Sequence, residues 1–154
     1  MIDEVVEEAL KHVDRHLEQH EFSLNLADEL LMAKMDVALM IQVIVNLINN
    51  AVKYTPINSK IELQTKKIND ELVLEVSDNG AGITDKAKEK IFDLFYTDEN
   101  RQVDSKRGLG LGLSLCKSII LAHGGQIYVK DNQPNGAIIG FKLPLEEVLI
   151  SDEQ

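Results

Sequence analysis

One stretch decides how the rest of the sequence is interpreted, namely Arg107-Gly108-Leu109-Gly110-Leu111-Gly112-Leu113-Ser114-Leu115-Cys116-Lys117. Three glycines alternate with leucines, and a helical pattern begins directly after them. Glycine lets a backbone come close to a ligand, and the first turn of a helix offers unpaired N–H donors at the positive end of a dipole. The stretch therefore favours a phosphate-binding loop. A flexible turn before a core helix explains the same pattern, because the spacing fits neither common phosphate-binding motif.

The composition is that of one globular domain with an acidic surface. The chain has 154 residues, of which 44% are hydrophobic and 27% charged, and its formal net charge is -10. No basic cluster is present, which argues against nucleic acid as a partner. No apolar run reaches membrane-spanning length and the N-terminus is acidic, so we expect a cytoplasmic segment without membrane contact. The single cysteine, Cys116, is interpreted as a small apolar residue on a helix.

A long buried helix is predicted from Val37 to about Tyr54, with Asp36 as its N-cap. Its apolar residues occur on nearly every side, which predicts burial. Amide oxygens suit a magnesium ion that is held mainly by phosphates, and a lysine can contact a phosphate. A polar stripe on this helix is therefore a candidate lining for a cleft, with a narrow solvent-exposed face as the alternative. The stripe spans an arc of roughly 100° and consists of Gln42, Asn46, Asn49, Asn50 and Lys53.

A second candidate site lies at the end of a predicted hairpin. Residues 60–65 and 71–77 alternate as strands, and Asn69-Asp70 supplies the turn. The alternation places Asp78 on the apolar face of the second strand. A carboxylate at that edge can accept a hydrogen bond from an exocyclic amine such as adenine N6. The glycines of Asp78-Asn79-Gly80-Ala81-Gly82-Ile83 would let a base lie against backbone, although this motif is also typical of a tight turn.

The N-terminal third predicts one helix and one hairpin. An amphipathic helix is expected from Met1 to about Gln19, since Val5, Val6, Ala9, Leu10, Val13 and Leu17 recur at helical spacing. Residues 22–26 alternate like a strand, and residues 28–34 are expected to form its hairpin partner.

The C-terminal half predicts a short helix, a lid, a core helix and a final strand pair. The short helix is expected over residues 85–93, and the strands over residues 126–130 and 136–143. The core helix ends at His123-Gly124-Gly125, where His123 is expected to carry a favourable charge. Residues 97–107 are mostly polar, which predicts a mobile lid. Within it, Lys106 and Arg107 can supply cations to phosphates or form a solvated pair.

Four of these stretches, in this order, resemble the characteristic boxes of sensor histidine kinases. Asn46–Pro56 resembles the N box, Asp78–Ile83 the G1 box, Ile91–Tyr96 the F box and Gly108–Leu113 the G2 box. The resemblance runs from about residue 36 to residue 145. The residues of these motifs are most similar to those of potassium-responsive, osmosensing sensor kinases.

This resemblance implies an α+β fold, the Bergerat ATP-binding fold. It is a two-layer α/β sandwich in which a mixed, mostly antiparallel sheet of about five strands is covered on one face by about three helices, with a mobile ATP lid. The implied domains are a linker helix from a preceding dimerisation domain (residues 1–20), the ATP-binding catalytic domain (residues 21–145) and an acidic tail (residues 146–154).

The resemblance also assigns site residues. Asp78 would hold the adenine amine, Asn50 would bind Mg2+ with Asn46 beside it, and Lys53 and Tyr54 would meet the phosphates or ribose. Asn46 and Lys53 would be the catalytic residues. The implied nucleotide-binding set is Asn46, Asn50, Lys53, Tyr54, Asp78, Gly80, Gly82, Ile83, Arg107, Gly108, Leu109, Gly110, Leu111, Gly112 and Leu113.

The position of Asn46 bears on the reaction. ATPase relatives of this fold place a glutamate four residues before the magnesium-binding asparagine, where it activates water. Asn46 cannot act as a general base, so rapid ATP hydrolysis is not expected and the γ-phosphate should await an external nucleophile. The family's acceptor histidine precedes Glu and then Arg-Thr-Pro, whereas the only His-Glu pair here, His20-Glu21, precedes Phe22-Ser23-Leu24.

The implied function is that of a protein histidine kinase catalytic domain, the cytoplasmic part of a membrane-anchored bacterial sensor kinase. It would bind ATP and Mg2+ and phosphorylate a histidine on the dimerisation domain of its parent, with a response regulator as an indirect partner. Two alternatives on the same fold are a nucleotide-gated protein-interaction module and a serine kinase of the anti-sigma type.

Overall fold

The computed structural model describes residues 1–93 and 112–146, which form one sheet with helices packed against it. The strands are β1 (Glu21–Asn25), β2 (Lys60–Ile68), β3 (Glu71–Asp78), β4 (Gln126–Asp131) and β5 (Ala137–Pro144). They lie in the order β1-β2-β3-β5-β4. β1 runs parallel to β2, and the other neighbouring pairs are antiparallel. The predicted five-stranded, mostly antiparallel sheet is confirmed.

The β2–β3 hairpin places Asp78 at the edge of the sheet. Its turn residues Asn69 and Asp70 have φ of 50° and 64°, the left-handed values that a two-residue turn of this kind requires and that Asn and Asp tolerate. From this turn the register runs from Ile68 opposite Glu71 to Ile61 opposite Asp78. The hairpin is therefore as predicted, and both strands are slightly longer than expected.

The central helix α2 (Val37–Lys53) lies against the sheet and contributes seven buried side chains to the core. Its N-cap is confirmed, because the Asp36 carboxylate accepts a hydrogen bond from Leu39 N–H at 3.0 Å. The helix is apolar on most of its surface, and its buried side chains are Met40, Val43, Ile44, Leu47, Ile48, Ala51 and Val52.

The N-terminal segment differs from the prediction in two ways. Helix α1 (Ile2–Leu10) is shorter than expected, and a separate 3₁₀ helix, Arg15–Gln19, follows it. No strand occurs between residues 26 and 36, so the predicted hairpin partner of β1 is wrong. The reason is topological: β1 pairs with β2 in parallel, and this segment instead leads into α2, the crossover between them. α1 buries Ile2, Val5, Val6 and Ala9 in the same core as α2.

The C-terminal half begins with a shorter helix than expected, α3 (Asp85–Lys88), and continues with α4 (Gly112–Ala122). The end of α4 is a Schellman motif: Gly124 N–H donates to Leu121 O, and Gly125 N–H donates to Ile120 O, both at 3.0 Å. Gly124 has φ of +75°, as this motif requires. The predicted glycine C-cap is confirmed.

His123, by contrast, does not act as a charge at the helix end. Its Nε2 accepts a hydrogen bond from Asp36 N–H at 3.0 Å, and its Nδ1 donates to Ile119 O at 2.7 Å. Because a backbone N–H can only donate, Nε2 carries no proton in this arrangement and the ring is neutral. The ring therefore joins the end of α4 to the N-cap of α2.

A polar network covers the sheet face opposite the helices. Glu75 is buried there, and its carboxylate receives a hydrogen bond from Tyr128 and ion pairs from Lys66 at 3.3 Å and Lys130 at 3.1 Å. Gly140 lies between Glu75 and Tyr128, so that a Cβ there would meet Glu75 Cγ at 2.7 Å. Burial alone would raise the pKa of Glu75, but the hydrogen bonds and the lysine charges lower it below 4.5.

This network predicts an acid-sensitive contribution to stability. A carboxyl whose pKa is lowered on folding stabilises the protein above its ordinary pKa, and that contribution is lost as the pH falls below about 4.5. Glu75→Gln should therefore reduce the free energy of unfolding by roughly 1–2 kcal/mol at pH 7 and by less in acid. Urea unfolding at pH 7 and pH 4 measures the difference. The exposed Glu21→Gln is the control, and an equal pH slope in Glu75→Gln and wild type would contradict the prediction.

Candidate nucleotide-binding site

Asp78 presents a buried carboxylate at the end of β3, with only 6% of its surface exposed. Its Oδ1 accepts hydrogen bonds from Gly80 N–H at 2.9 Å and Ala137 N–H at 3.3 Å. Its Oδ2 has no hydrogen-bond partner within residues 1–93 and 112–146. Since a buried carboxylate oxygen without a donor is unfavourable, this atom suits a donor group on a ligand.

The β4–β5 loop holds the backbone that follows Asp78. Asn132 Nδ2 donates to Asp78 O at 2.7 Å, and Asn135 Nδ2 donates to Asn79 O at 2.6 Å. Gly136 approaches so closely that a Cβ there would lie 1.9 Å from Asp78 O. These hydrogen bonds from the β4–β5 loop were not predicted, because in the sequence this loop is a turn-forming stretch more than 50 positions away from Asp78.

The loop after Asp78 packs against the C-terminal end of α2. A Cβ added to Gly80 would lie 2.9 Å from Thr55 Cγ2, so a larger residue there would require the Thr55 side chain to shift. Gly82 has φ of +82°, and a Cβ there would meet Gly136 O at 3.2 Å. Asp78 and the end of α2 are therefore neighbours, as the hypothesis of a shared cleft requires.

The polar stripe of α2 divides between three environments. Asn46 faces α4, and its Nδ2 lies 3.5 Å from Gly112 O, a long hydrogen bond. Asn49 Oδ1 accepts a hydrogen bond from Asp14 N–H at 2.8 Å, so this amide holds the N-terminal segment and does not line a cleft. Asn50 is half-buried, and its side chain has no hydrogen-bond partner in the described part of the chain.

The end of α2 carries the two remaining candidates on this helix. Lys53 Nζ lies 5.2 Å from the centroid of the Tyr54 ring, within cation–π distance. Lys53 also lines an open pocket of about 190 Å³ that sequence analysis did not predict. Its other lining residues are His16, Gln19, His20, Val52, Thr55 and Ile57.

Several predicted site residues lie outside the described residues, namely Arg107, Gly108, Leu109, Gly110 and Leu111, together with the predicted lid and residues 94–96. Of the glycine-rich stretch, the structure places Gly112 and Leu113 in the first turn of α4. A Cβ on Gly112 would lie 3.9 Å from Asn46 Cγ. The beginning of α4 is therefore adjacent to α2, one helical turn from Asn50. Among the described residues, no group of three His, Cys, Asp or Glu side chains is arranged to hold a metal ion.

Cys116 is buried in the α2–α4 interface, which confirms its interpretation as a small apolar residue. Its Sγ donates to Val43 O at 3.8 Å. Burial raises the pKa of the thiol to about 12, although a hydrogen bond with Asn46 acts in the opposite direction.

Alkylation of this thiol should therefore report unfolding. Because the thiolate is the reactive form, a pKa raised from 9.0 to about 12 predicts reaction with iodoacetamide about 1,000-fold slower than in the unfolded chain at pH 8. Mass spectrometry in buffer and in urea measures both rates, and the chain has no other cysteine to confuse them. Equal rates would contradict burial of the thiol.

Comparison with known proteins identifies the family to which this fold belongs. The family described as "Histidine kinase-, DNA gyrase B-, and HSP90-like ATPase" matches residues 35–147. The chain is 38% identical to the sensor protein KdpD of Clostridium acetobutylicum over 146 residues, which cover 95% of the chain and 16% of KdpD. The catalytic domain of histidine kinase ThkA matches with 30% identity, 93% coverage of both chains and a TM-score of 0.79. The mycobacterial sensor histidine kinase MprB matches with 26% identity, 96% and 97% coverage and a TM-score of 0.85.

The chain is thus an ATP-binding sandwich of the Bergerat type, and it belongs to the family of histidine kinase-, DNA gyrase B- and HSP90-like ATPases. Within that family, it is a catalytic domain of the sensor histidine kinase kind. It spans about one sixth of the length of KdpD. In the described residues, no helix is both long and apolar enough to cross a membrane.

Proposed function

We propose that this domain binds Mg-ATP and transfers the γ-phosphate to a histidine on a separate dimerisation domain of its parent kinase. The observation that carries the proposal is the buried Asp78 carboxylate, which has one oxygen free of partners in the described residues and lies beside the end of α2. This arrangement suits an adenine whose exocyclic amine donates to Asp78.

The residues of α2 fit a triphosphate with its metal. The half-buried Asn50 amide is available in the described part of the chain, and an amide oxygen is a suitable Mg2+ ligand. Asn46, one turn earlier, lies beside α4, where it would complete the metal side of the site. Lys53 and Tyr54 would contact the phosphates or ribose. When bound, Mg2+ would neutralise charge on the transferring phosphoryl group.

The glycine-rich stretch would complete the site on the phosphate side. Gly80, Gly82 and Ile83 would shape the adenine pocket, and residues 107–113 would enclose the triphosphate. Because Asn46 occupies the position of a general base and cannot act as one, it would not activate water for hydrolysis of the bound nucleotide. The residues of this chain therefore bind and position ATP, and the nucleophile would come from another domain.

Transfer to a separate acceptor domain tests this proposal. The purified chain, mixed with the dimerisation domain of its parent, Mg2+ and γ-labelled ATP, should place acid-labile label on that domain. Replacing the acceptor histidine with glutamine is the matched control and should abolish labelling. Without the acceptor domain, ATP turnover should be negligible.

The same experiment separates the two alternatives. ATP-dependent association of the two domains without transfer of label would favour the nucleotide-gated interaction module. Acid-stable label on a protein substrate would favour the serine kinase of the anti-sigma type.

The parent would be a membrane-anchored bacterial sensor kinase that passes its phosphate to a response regulator. The 38% identity to KdpD over 95% of the chain supports a parent of that type, and the sequence motifs resemble those of potassium-responsive kinases. Deleting the parent gene and measuring growth at low potassium would test this assignment, and normal induction of potassium uptake would contradict it.

A further inference from the structure

Thr55 connects the N-terminal segment to the loop that follows Asp78. Its methyl group faces Gly80, with only 2.9 Å between Thr55 Cγ2 and a Cβ added there. Its hydroxyl donates its one proton to Ala51 O at 2.7 Å, so its oxygen accepts a hydrogen bond from His20 Nε2 at 3.1 Å. The methyl group of Thr55 therefore contacts the Asp78–Gly82 loop, while its hydroxyl is hydrogen-bonded to α2 and His20.

His20 is itself held in position by the 3₁₀ helix before it. Its Nδ1 lies 3.1 Å from His16 O. Gln19, which precedes His20, also contacts the chain after α2, because Asn58 N–H donates to Gln19 O at 2.8 Å. The end of the 3₁₀ helix and the chain after α2 therefore form one hydrogen-bonded unit around Thr55.

Within residues 1–93 and 112–146, the Thr55 hydroxyl hydrogen-bonds only to His20 and Ala51. The open pocket of about 190 Å³ lies between the 3₁₀ helix and the end of α2. Loss of the His20 side chain would enlarge this pocket, and among the described residues the Thr55 hydroxyl would keep only its bond to Ala51 O. The position of Gly80 matters for the carboxylate, because Gly80 N–H donates to Asp78 Oδ1 at 2.9 Å.

We propose that His20 and Thr55 are positioning residues for the adenine end of the site. By holding the Asp78–Gly82 loop against α2, they make the segment that enters β1 a determinant of ATP affinity and base selectivity. This inference rests on the proposed function, since it requires that Asp78 bind adenine.

A double-mutant cycle with a non-hydrolysable ATP analogue tests the proposal. His20→Ala and Thr55→Val should each raise the Kd by roughly threefold to tenfold, the range expected for one hydrogen bond. The double variant should be no weaker than Thr55→Val, because His20 acts through the Thr55 hydroxyl. Thr55→Ser keeps that hydroxyl and should bind more tightly than Thr55→Val.

Base selectivity separates positioning from general destabilisation. Inosine triphosphate lacks the exocyclic amine, so wild type should prefer ATP, and His20→Ala should reduce the ratio of the two affinities. His12→Ala is the control, because His12 is exposed between α1 and the 3₁₀ helix and, among the described residues, its side chain hydrogen-bonds only to Glu8. All titrations are made below the unfolding transition of each variant, and the His20→Ala and His12→Ala pair suffices if Thr55→Val does not fold.

Four results are decisive. An unchanged ATP affinity in His20→Ala would overturn the proposal, and so would an equal loss for both nucleotides. Additive effects in the double variant would show that His20 does not act through Thr55. A wild-type chain that binds no ATP would overturn the proposed function itself, which distinguishes that failure from failure of the positioning role.

Discussion

Asp78→Asn is expected to weaken binding of an ATP analogue about 100-fold while leaving the fold intact. Asparagine has the same shape, and its Oδ1 can still accept from the Gly80 and Ala137 N–H groups. Those two donors orient the amide so that its NH2 group faces the ligand. A donor would then meet the adenine amine, which is also a donor, and a hydrogen bond to a charged group worth roughly 1.5–3 kcal/mol would be lost.

The same orientation predicts a reversal of base preference. The amide that Asp78→Asn introduces can donate to the keto oxygen of inosine, so inosine triphosphate should bind the variant more tightly than ATP does. Isothermal titration with both nucleotides measures the two affinities. Asp70→Asn, the same chemical change at an exposed turn position, is the control and should bind like wild type. Unchanged ATP affinity in Asp78→Asn would remove the basis of the proposed site.

Gly136→Ala is expected to reduce the free energy of unfolding by more than the other glycine-to-alanine substitution proposed here, Gly124→Ala. Gly136 has φ of +105°, and a Cβ there would lie 1.9 Å from Asp78 O and 2.9 Å from Asn79 Cα. Both atoms belong to backbone, so no side chain can move aside. Backbone strain of about 1–3 kcal/mol and overpacking of a similar size together predict a loss of roughly 2–6 kcal/mol.

Gly124→Ala provides a matched control for this effect. Gly124 also has a left-handed φ, +75°, but nothing lies within 4 Å of its added Cβ. It should therefore lose only about 1 kcal/mol, from backbone conformation alone. Urea unfolding of both variants gives the difference due to the close approach. Similar losses in the two variants would show that the β4–β5 loop does not press on the backbone of Asp78, and ATP affinity should fall further in Gly136→Ala than in Gly124→Ala.

The sequence was most informative where a pattern is local. The hairpin turn at Asn69-Asp70, the N-cap at Asp36 and the glycine C-cap of α4 each depend on residues within a few positions of one another, and all three are confirmed. Period-two alternation placed Asp78 on the buried face of β3, and the structure buries it. The roles assigned to the site residues stay predictions.

Three differences from the predictions share a physical cause, because each depends on a partner distant in sequence. The expected strand at residues 28–34 is absent because β1 pairs with β2, more than 30 positions away. The Asn49 side chain does not line a cleft because its Oδ1 accepts a hydrogen bond from Asp14 N–H. His123 is neutral because its Nε2 accepts a hydrogen bond from Asp36 N–H, 87 positions away. The spacing of apolar residues within one helix or strand does not indicate which distant residue will pair with it.

The sequence by itself determined the order of elements from α2 onward, the burial of α2 and the chemistry at two chain positions, a carboxylate after a strand and amides on a helix. Only the tertiary structure decided that these positions are neighbours, because it places Gly80 against Thr55 and Gly112 beside Asn46. It also decided which polar side chains are already satisfied by the protein. The reason is that local preferences specify helices and strands, whereas the packing of backbone on backbone fixes the distance between them.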